Sequence, residues 1–143
     1  MGREEYDEVI ACLDSRCRGT GPRTARLEQE FREYIGATAT VALNSCTAAL
    51  QLSMQVLGIP AGSEVITSTM TFVATANAIV HAGCQPVLVD CERSTMNIDV
   101  AAVERSITPR TRAIVPVHFA GRPCDMTALM ALGLMANLAP IAT

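Results

Sequence analysis

Lysine is absent from this sequence of 143 residues, and all eleven of its basic side chains are arginines. A guanidinium group stays protonated and does not act as a nucleophilic amine. The side chains of this chain therefore exclude the covalent catalysis that depends on a lysine amine. Tryptophan is also absent, and aromatic residues make up only 3% of the chain. We therefore expect a core built from aliphatic side chains.

Several classes of partner are excluded by what else is missing. The net charge of −3 provides no basic patch, which argues against nucleic acid as a partner. No apolar run approaches the roughly 18 residues of a membrane span, and the charged first eight residues contain no apolar signal segment. We expect a cytoplasmic protein without a membrane segment.

Half of the residues are hydrophobic and 17% are charged, which is typical of one folded domain. The six cysteines are widely spaced and include no Cys-x-x-Cys pair. Free thiols are favoured over the alternative, a disulfide or metal framework. No metal site is predicted.

The hydrophobic pattern alternates between helical spacing and short apolar runs. Strands that are each followed by a helix predict parallel βαβ units with helices on both faces of the sheet, which is an α/β fold. Pro22, Gly36, Asp99 and Asp125 mark helix ends. Helices are predicted at 4–16, 22–35, 72–81 and 99–107 and from about 45 to Gly58, and strands at 40–43, 64–67, 85–90 and 112–117.

The end of the first predicted strand runs into Asn44-Ser45-Cys46-Thr47 without a bulky side chain. The free N–H groups and the positive dipole end of the following helix predict an anion site, to which Ser45 and Thr47 add hydroxyl groups. A serine at a helix start is also a common cap, so a purely structural role remains the alternative.

Three further segments lie where ligands gather in open α/β sheets, at strand ends and in loops. Phe72 either stacks on a flat heterocycle or starts a helix as a core residue. His118 either contacts a ligand or has a structural hydrogen bond to a backbone carbonyl. The loop at Thr20 and Gly21 either admits a ligand or turns the chain.

The order of these motifs resembles one known family. Taken together, they are similar to the DegT/DnrJ/StrS sugar aminotransferases, in the fold-type I group of pyridoxal-phosphate (PLP) enzymes, over about residues 4–132. The motifs are Gly19-Thr20-Gly21-Pro22, Leu27-Glu28-x-x-Phe31, Asn44-Ser45-Cys46-Thr47-Ala48-Ala49-Leu50, Gly62-Ser63-Glu64-Val65-Ile66-Thr67, Thr71-Phe72-Val73-Ala74-Thr75-Ala76-Asn77-Ala78, Pro86-Val87-x-Val89-Asp90, Ile107-Thr108-Pro109-Arg110-Thr111 and Pro116-Val117-His118-x-x-Gly121.

The resemblance implies amino transfer, usually from glutamate, to a keto-sugar carried on a nucleotide. It implies that Ser45, Cys46 and Thr47 line the PLP phosphate and that Phe72 stacks on the pyridine ring. It also implies a homodimer in which the Thr20-Gly21 loop approaches the active site across the subunit interface. We expect Thr20, Gly21 and His118 to bind substrate.

The sequence departs from the family pattern in three places. Cys46 stands where glycine is common, and Cys17 replaces a common tryptophan. After about Leu132 the family continues to an aspartate that pairs with the pyridine nitrogen and to the Schiff-base lysine, whereas residues 133–143 diverge.

We therefore expect an N-terminal part of the PLP-binding domain, without catalytic residues and inactive alone. The alternative is a non-catalytic phosphate-binding or interaction fragment. By analogy with the family's sheet, unpaired strand edges also predict poor solubility.

Overall fold

A computed structural model describes residues 2–17, 19–136 and 138–141. The chain divides into two compact units, Met1–Asn44 (unit 1) and Ser45–Thr143 (unit 2). Each unit has its own secondary structure.

Unit 1 contains two helices, α1 (Arg3–Asp14) and α2 (Pro22–Ile35). The predicted helix ends are confirmed: Pro22 occupies the first turn of α2, and Gly36 ends the helix with φ +67°. Glycine adopts this left-handed conformation without the cost that a Cβ atom imposes. None of the residues described in the two helices is buried.

The predicted strand at residues 40–43 is wrong. The segment is irregular, and α2 supplies its hydrogen bonds. The Thr40 hydroxyl donates to the Glu28 carbonyl (2.5 Å), and the Ala42 N–H donates to Glu28 Oε1 (2.8 Å). A strand exists only where a neighbouring backbone completes its ladder. Here a side chain takes that place, so apolar character alone does not make a strand.

Unit 2 is a four-stranded parallel sheet with helices on both faces, which confirms the predicted α/β class. The strand order is β2-β1-β3-β4, and every neighbouring pair is parallel. Its elements in chain order are α3 (Cys46–Val56), β1 (Glu64–Ser68), α4 (Val73–His81), β2 (Gln85–Val89), α5 (Val100–Ser106), β3 (Thr111–Val115), a 3-10 turn (Phe119–Gly121), α6 (Met126–Ala136) and β4 (Ala139–Pro140).

Alternate residues of the central strands enter two separate cores, as the two-residue period of a strand requires. Val65 of β1 and Val115 of β3 pack with residues of α3 and α4. Ile66 and Ile114 point to the other face and pack with residues of α5 and α6. The β1 and β3 strands are therefore covered on both sides, which explains why consecutive residues rather than alternate ones are apolar at Val65-Ile66 and at Ala113-Ile114-Val115.

The predicted N-caps of α5 and α6 are present. Asp99 accepts hydrogen bonds from the backbone N–H groups of Ala101 and Ala102, and Asp125 accepts one from Ala128. Strand β4 was not predicted from the sequence. Its two residues pair with Ala113 and Ile114 of β3. All six cysteines are free, as expected.

Candidate functional site at the carboxyl edge of the sheet

The carboxyl edge of the sheet is the edge at which β1, β2 and β3 end, at Ser68, Val89 and Val115. The chain leaves β1 through α4 on one face, and it leaves β3 through α6 on the other. Two neighbouring strands whose connections diverge to opposite faces leave a crevice beyond their carboxyl ends. The candidate site therefore lies outside the ends of β1 and β3.

Helices α3 and α4 both begin at this edge. Each is followed by a short connection into the amino end of a strand, α3 into β1 and α4 into β2. The two connections are tied together, because the Gly62 N–H donates to the Gly83 carbonyl (2.8 Å). Eleven helical residues span about 16 Å, which matches a five-residue strand. The starts of α3 and α4 therefore lie at the level of the carboxyl edge.

The start of α3 has the geometry that the anion prediction requires. Ser45 is its N-cap in extended conformation, and its hydroxyl accepts a hydrogen bond from the Ala48 N–H (3.2 Å). The N–H groups of Cys46 and Thr47 have no carbonyl partner within a helix. Ser45, Cys46 and Thr47 are all exposed. Ser45 can therefore cap α3 while the N–H groups of Cys46 and Thr47 bind an anion, so the two predicted roles do not exclude each other.

Phe72 is the N-cap residue of α4 and is 77% exposed. Phe72 therefore does not belong to either core of unit 2. The neighbouring hydroxyl groups are ordered, because Thr71 Oγ1 lies 2.8 Å from Oγ1 of the buried Thr75. The structure therefore leaves an aromatic ring uncovered at the edge where α3 also starts.

His118 follows β3 at the same edge and is half-buried. Its Nδ1 accepts a hydrogen bond from the Cys124 N–H (3.1 Å). The sequence left open a structural hydrogen bond to a carbonyl; the observed partner is an amide N–H, so Nδ1 is the acceptor. In a neutral ring the proton is then on Nε2. Among the described residues Nδ1 has this one partner and Nε2 has none, so Nε2 is available to a ligand.

Thr20 and Gly21 belong to unit 1, where Gly21 is the N-cap of α2. A Cβ atom at Gly21 would collide with the Cys17 sulfur. A larger residue at position 21 would therefore require the Cys17 side chain to move. Substrate binding by this loop stays a prediction.

Sequence reasoning missed Asn97, a buried residue that holds the segment after β3. It lies in an irregular loop with no periodicity, and its partners are 22 to 26 positions away in the chain. Its only sequence signal is its place two residues before the helix cap Asp99.

A model of the DegT/DnrJ/EryC1/StrS aminotransferase family matches residues 1–141. The chain belongs to this family. The spore coat polysaccharide biosynthesis protein SpsC of Bacillus subtilis (strain 168) is 48% identical over 132 residues, which are 92% of this chain and 34% of SpsC.

Solved structures of similar proteins show the same fold. DesV of S. venezuelae is 38% identical with a TM-score of 0.91, over 98% of this chain and 38% of DesV. The PLP form of Spr1654 from Streptococcus pneumoniae is 36% identical with a TM-score of 0.87, over all of this chain and 36% of that protein. Spr1654 is also solved in a form with pyridoxamine phosphate (PMP). The chain thus spans about a third of the length of these relatives.

Within the described part of the chain, no helix is both long enough and apolar enough to cross a membrane.

Proposed function

We propose that unit 2 forms the phosphate-binding and ring-binding part of a PLP site in a sugar aminotransferase. The complete enzyme would transfer an amino group from glutamate to a nucleotide-linked keto-sugar, as a cytoplasmic homodimer. The observation that carries this proposal is that two exposed features, the start of α3 and the ring of Phe72, lie at one edge of the sheet. Membership of the aminotransferase family supports the same assignment.

The residues present fit a phosphorylated pyridine. A phosphate dianion at the start of α3 would accept hydrogen bonds from the N–H groups of Cys46 and Thr47 and would be stabilised by the helix dipole. The Thr47 hydroxyl adds a donor. Phe72 offers a flat apolar face to a pyridine ring. Cys46 in place of glycine is tolerated, because the contact that matters comes from its backbone.

Bound PLP supplies an electron sink for the carbon that carries the amino group. The chain's own residues bind and orient the cofactor and supply no anchoring amine, since none of the 143 residues is a lysine. An anchoring lysine must come from polypeptide outside these residues. We assign no catalytic residue within them, and we propose substrate contacts for Thr20, Gly21 and His118.

Titration of the chain with PMP tests this proposal. PMP has no aldehyde, so it cannot react with the α-amino group, and the titration measures non-covalent binding alone. We expect saturable binding that is weakened by inorganic phosphate. Pyridoxamine, which lacks the phosphate, should bind much more weakly. Equal affinity for PMP and pyridoxamine would exclude a phosphate site.

The variant Cys46→Pro removes one N–H donor and little else. Proline is favoured at the first position of a helix, and Ser45 already has the extended conformation (φ −164°, ψ 156°) that a residue before proline requires. A hydrogen bond to a charged group contributes about 1.5–3 kcal/mol, so PMP affinity should fall about tenfold or more. Cys46→Ala keeps the N–H and is the matched control, with unchanged affinity expected. Equal affinities for the two variants would show that the α3 start does not hold the phosphate.

A further inference from the structure

The side chain of Asn97 makes three hydrogen bonds to a single distant segment. Asn97 is only 4% exposed, although it lies in the loop between β2 and α5. Its Nδ2 donates to the carbonyls of Arg122 (3.1 Å) and Pro123 (2.9 Å), and its Oδ1 accepts from the Phe119 N–H (3.1 Å). A carboxamide has two N–H donors and one oxygen, and all are used here.

The segment that Asn97 binds is the His118 loop, residues 117–124. Within this loop Ala120 has φ +51°, a left-handed conformation that is uncommon for residues other than glycine. The contacts of Asn97 to Phe119 and Arg122 lie on both sides of Ala120. A conformation that the local sequence disfavours is therefore held in place by a tertiary contact.

The same loop determines which nitrogen of His118 is engaged. The Cys124 N–H donates to His118 Nδ1 (3.1 Å), and the Cys124 thiol donates to the Val117 carbonyl (3.2 Å). Burial raises the pKa of the Cys124 thiol, so the thiol remains protonated and able to donate. Cys124 directly follows Pro123, whose carbonyl is bound by Asn97. Release of Asn97 would therefore loosen the backbone that supplies the amide to His118.

We propose that Asn97 is a positioning residue for His118, because its buried carboxamide fixes the loop in which Nδ1 accepts and Nε2 carries the proton. His118 then presents an N–H donor at the carboxyl edge. The consequence for the reaction rests on the proposed function: this donor meets an oxygen atom of the ligand held beside α3 and Phe72.

The tautomer of His118 is the direct test. Long-range proton–nitrogen NMR spectra of the nitrogen-15-labelled chain distinguish the two neutral imidazole forms. The chain has two histidines, so His81→Gln assigns the signals. We expect the Nε2–H form in the unmodified chain. In Asn97→Ala the Nδ1–H form should reach a measurable share, because the amide of Cys124 is no longer held. Asn77→Ala, at an exposed position of α4, is the matched control with no expected change.

Asn97→Asp carries the same test if Asn97→Ala does not fold. It keeps the volume and the acceptor for Phe119 but places a carboxylate oxygen against the two carbonyls. An unchanged His118 tautomer in a folded Asn97 variant overturns the positioning role.

PMP titration of the unmodified chain reports separately on the proposed function. Absence of PMP binding together with an Asn97-dependent tautomer would remove the proposed function and leave the positioning role standing.

Discussion

Units 1 and 2 differ in how far their apolar side chains are buried. Unit 2 places residues such as Ile66 and Ile114 at 0–1% exposure on opposite faces of the sheet. Unit 1 contains amphipathic helices of similar length, yet Phe31 and Ile35 remain 51% exposed and Tyr34 88% exposed. An amphipathic pattern places the apolar side chains on one face of a helix but does not by itself bury them. Burial in unit 2 requires a sheet that is covered by helices on both faces.

The largest effect that we expect is the loss of a buried side chain in unit 2. Ile66→Ala should lower the free energy of unfolding by about 2–5 kcal/mol, because it leaves a cavity between β1 and the helices of one face. Ile35→Ala, the matched change in unit 1, should stay within about 0.5 kcal/mol. Urea unfolding followed by circular dichroism measures both. Similar small losses would show that unit 2 is loosely packed, in line with the poor solubility that the sequence predicts.

An intermediate effect is expected from acid. Glu64 is buried at the start of β1 and accepts hydrogen bonds from the Thr108 hydroxyl (2.5 Å) and from Arg110 Nε (2.9 Å). These hydrogen bonds lower the pKa of the Glu64 carboxyl, and the bond from the Thr108 hydroxyl has a larger effect than the bond from Arg110. A carboxylate whose pKa is lower in the folded state than in the unfolded state stabilises the fold. The stabilisation is complete at pH values above the unfolded-state pKa of about 4.3. This stabilisation is lost as the pH falls through the lower native pKa.

Glu64→Gln should therefore lower stability at pH 7 and flatten the loss of stability between about pH 5 and pH 2. Glu30→Gln is the comparison in unit 1, where Glu30 pairs with Arg26 one turn away on an exposed surface (2.7 Å). We expect its profile to match that of the unmodified chain, since exposed pairs contribute little. Melting temperatures measured across this pH range test the difference. A Glu64→Gln profile that keeps the full acid slope would contradict the assignment.

The smallest effect concerns helix caps. Asp99 caps α5 through two N–H groups (2.8 and 3.3 Å), so Asp99→Ala should cost about 1 kcal/mol, while Asp99→Asn should restore most of it. In unit 1, Gly21 is the N-cap of α2 (Pro22–Ile35), and among the described residues no side chain caps this helix. Thr20→Ala should therefore be neutral for stability. Thermal melts of the three variants give the ranking.

Local sequence rules predicted most of the architecture. Pro22, Gly36 and Asp99 each determine a helix end through their own backbone or side chain, and the structure confirms all three. The apolar runs at 64–67, 85–90 and 112–117 became parallel strands, since each has a neighbouring strand to complete its ladder.

What the sequence missed depends on contacts between distant residues. Residues 40–43 are as apolar as a strand, but Glu28 supplies their hydrogen bonds. Strand β4 has two residues and exists through its pairing with β3. The side-chain partners of Asn97 and of Glu64 lie 22 to 47 positions away. At the candidate site, residue types predicted the anion and ring contacts, whereas the shared edge of Ser45 and Phe72 follows from how α3 and α4 connect to the sheet.

Each outer strand of the sheet contains a proline, Pro86 in β2 and Pro140 in β4. Proline has no N–H group to offer to an incoming backbone. Both rims of the sheet are therefore poor templates for intermolecular β-pairing and for fibril growth. If copies of this chain aggregate at high concentration, we expect them to associate through apolar helix surfaces and to form amorphous rather than cross-β deposits.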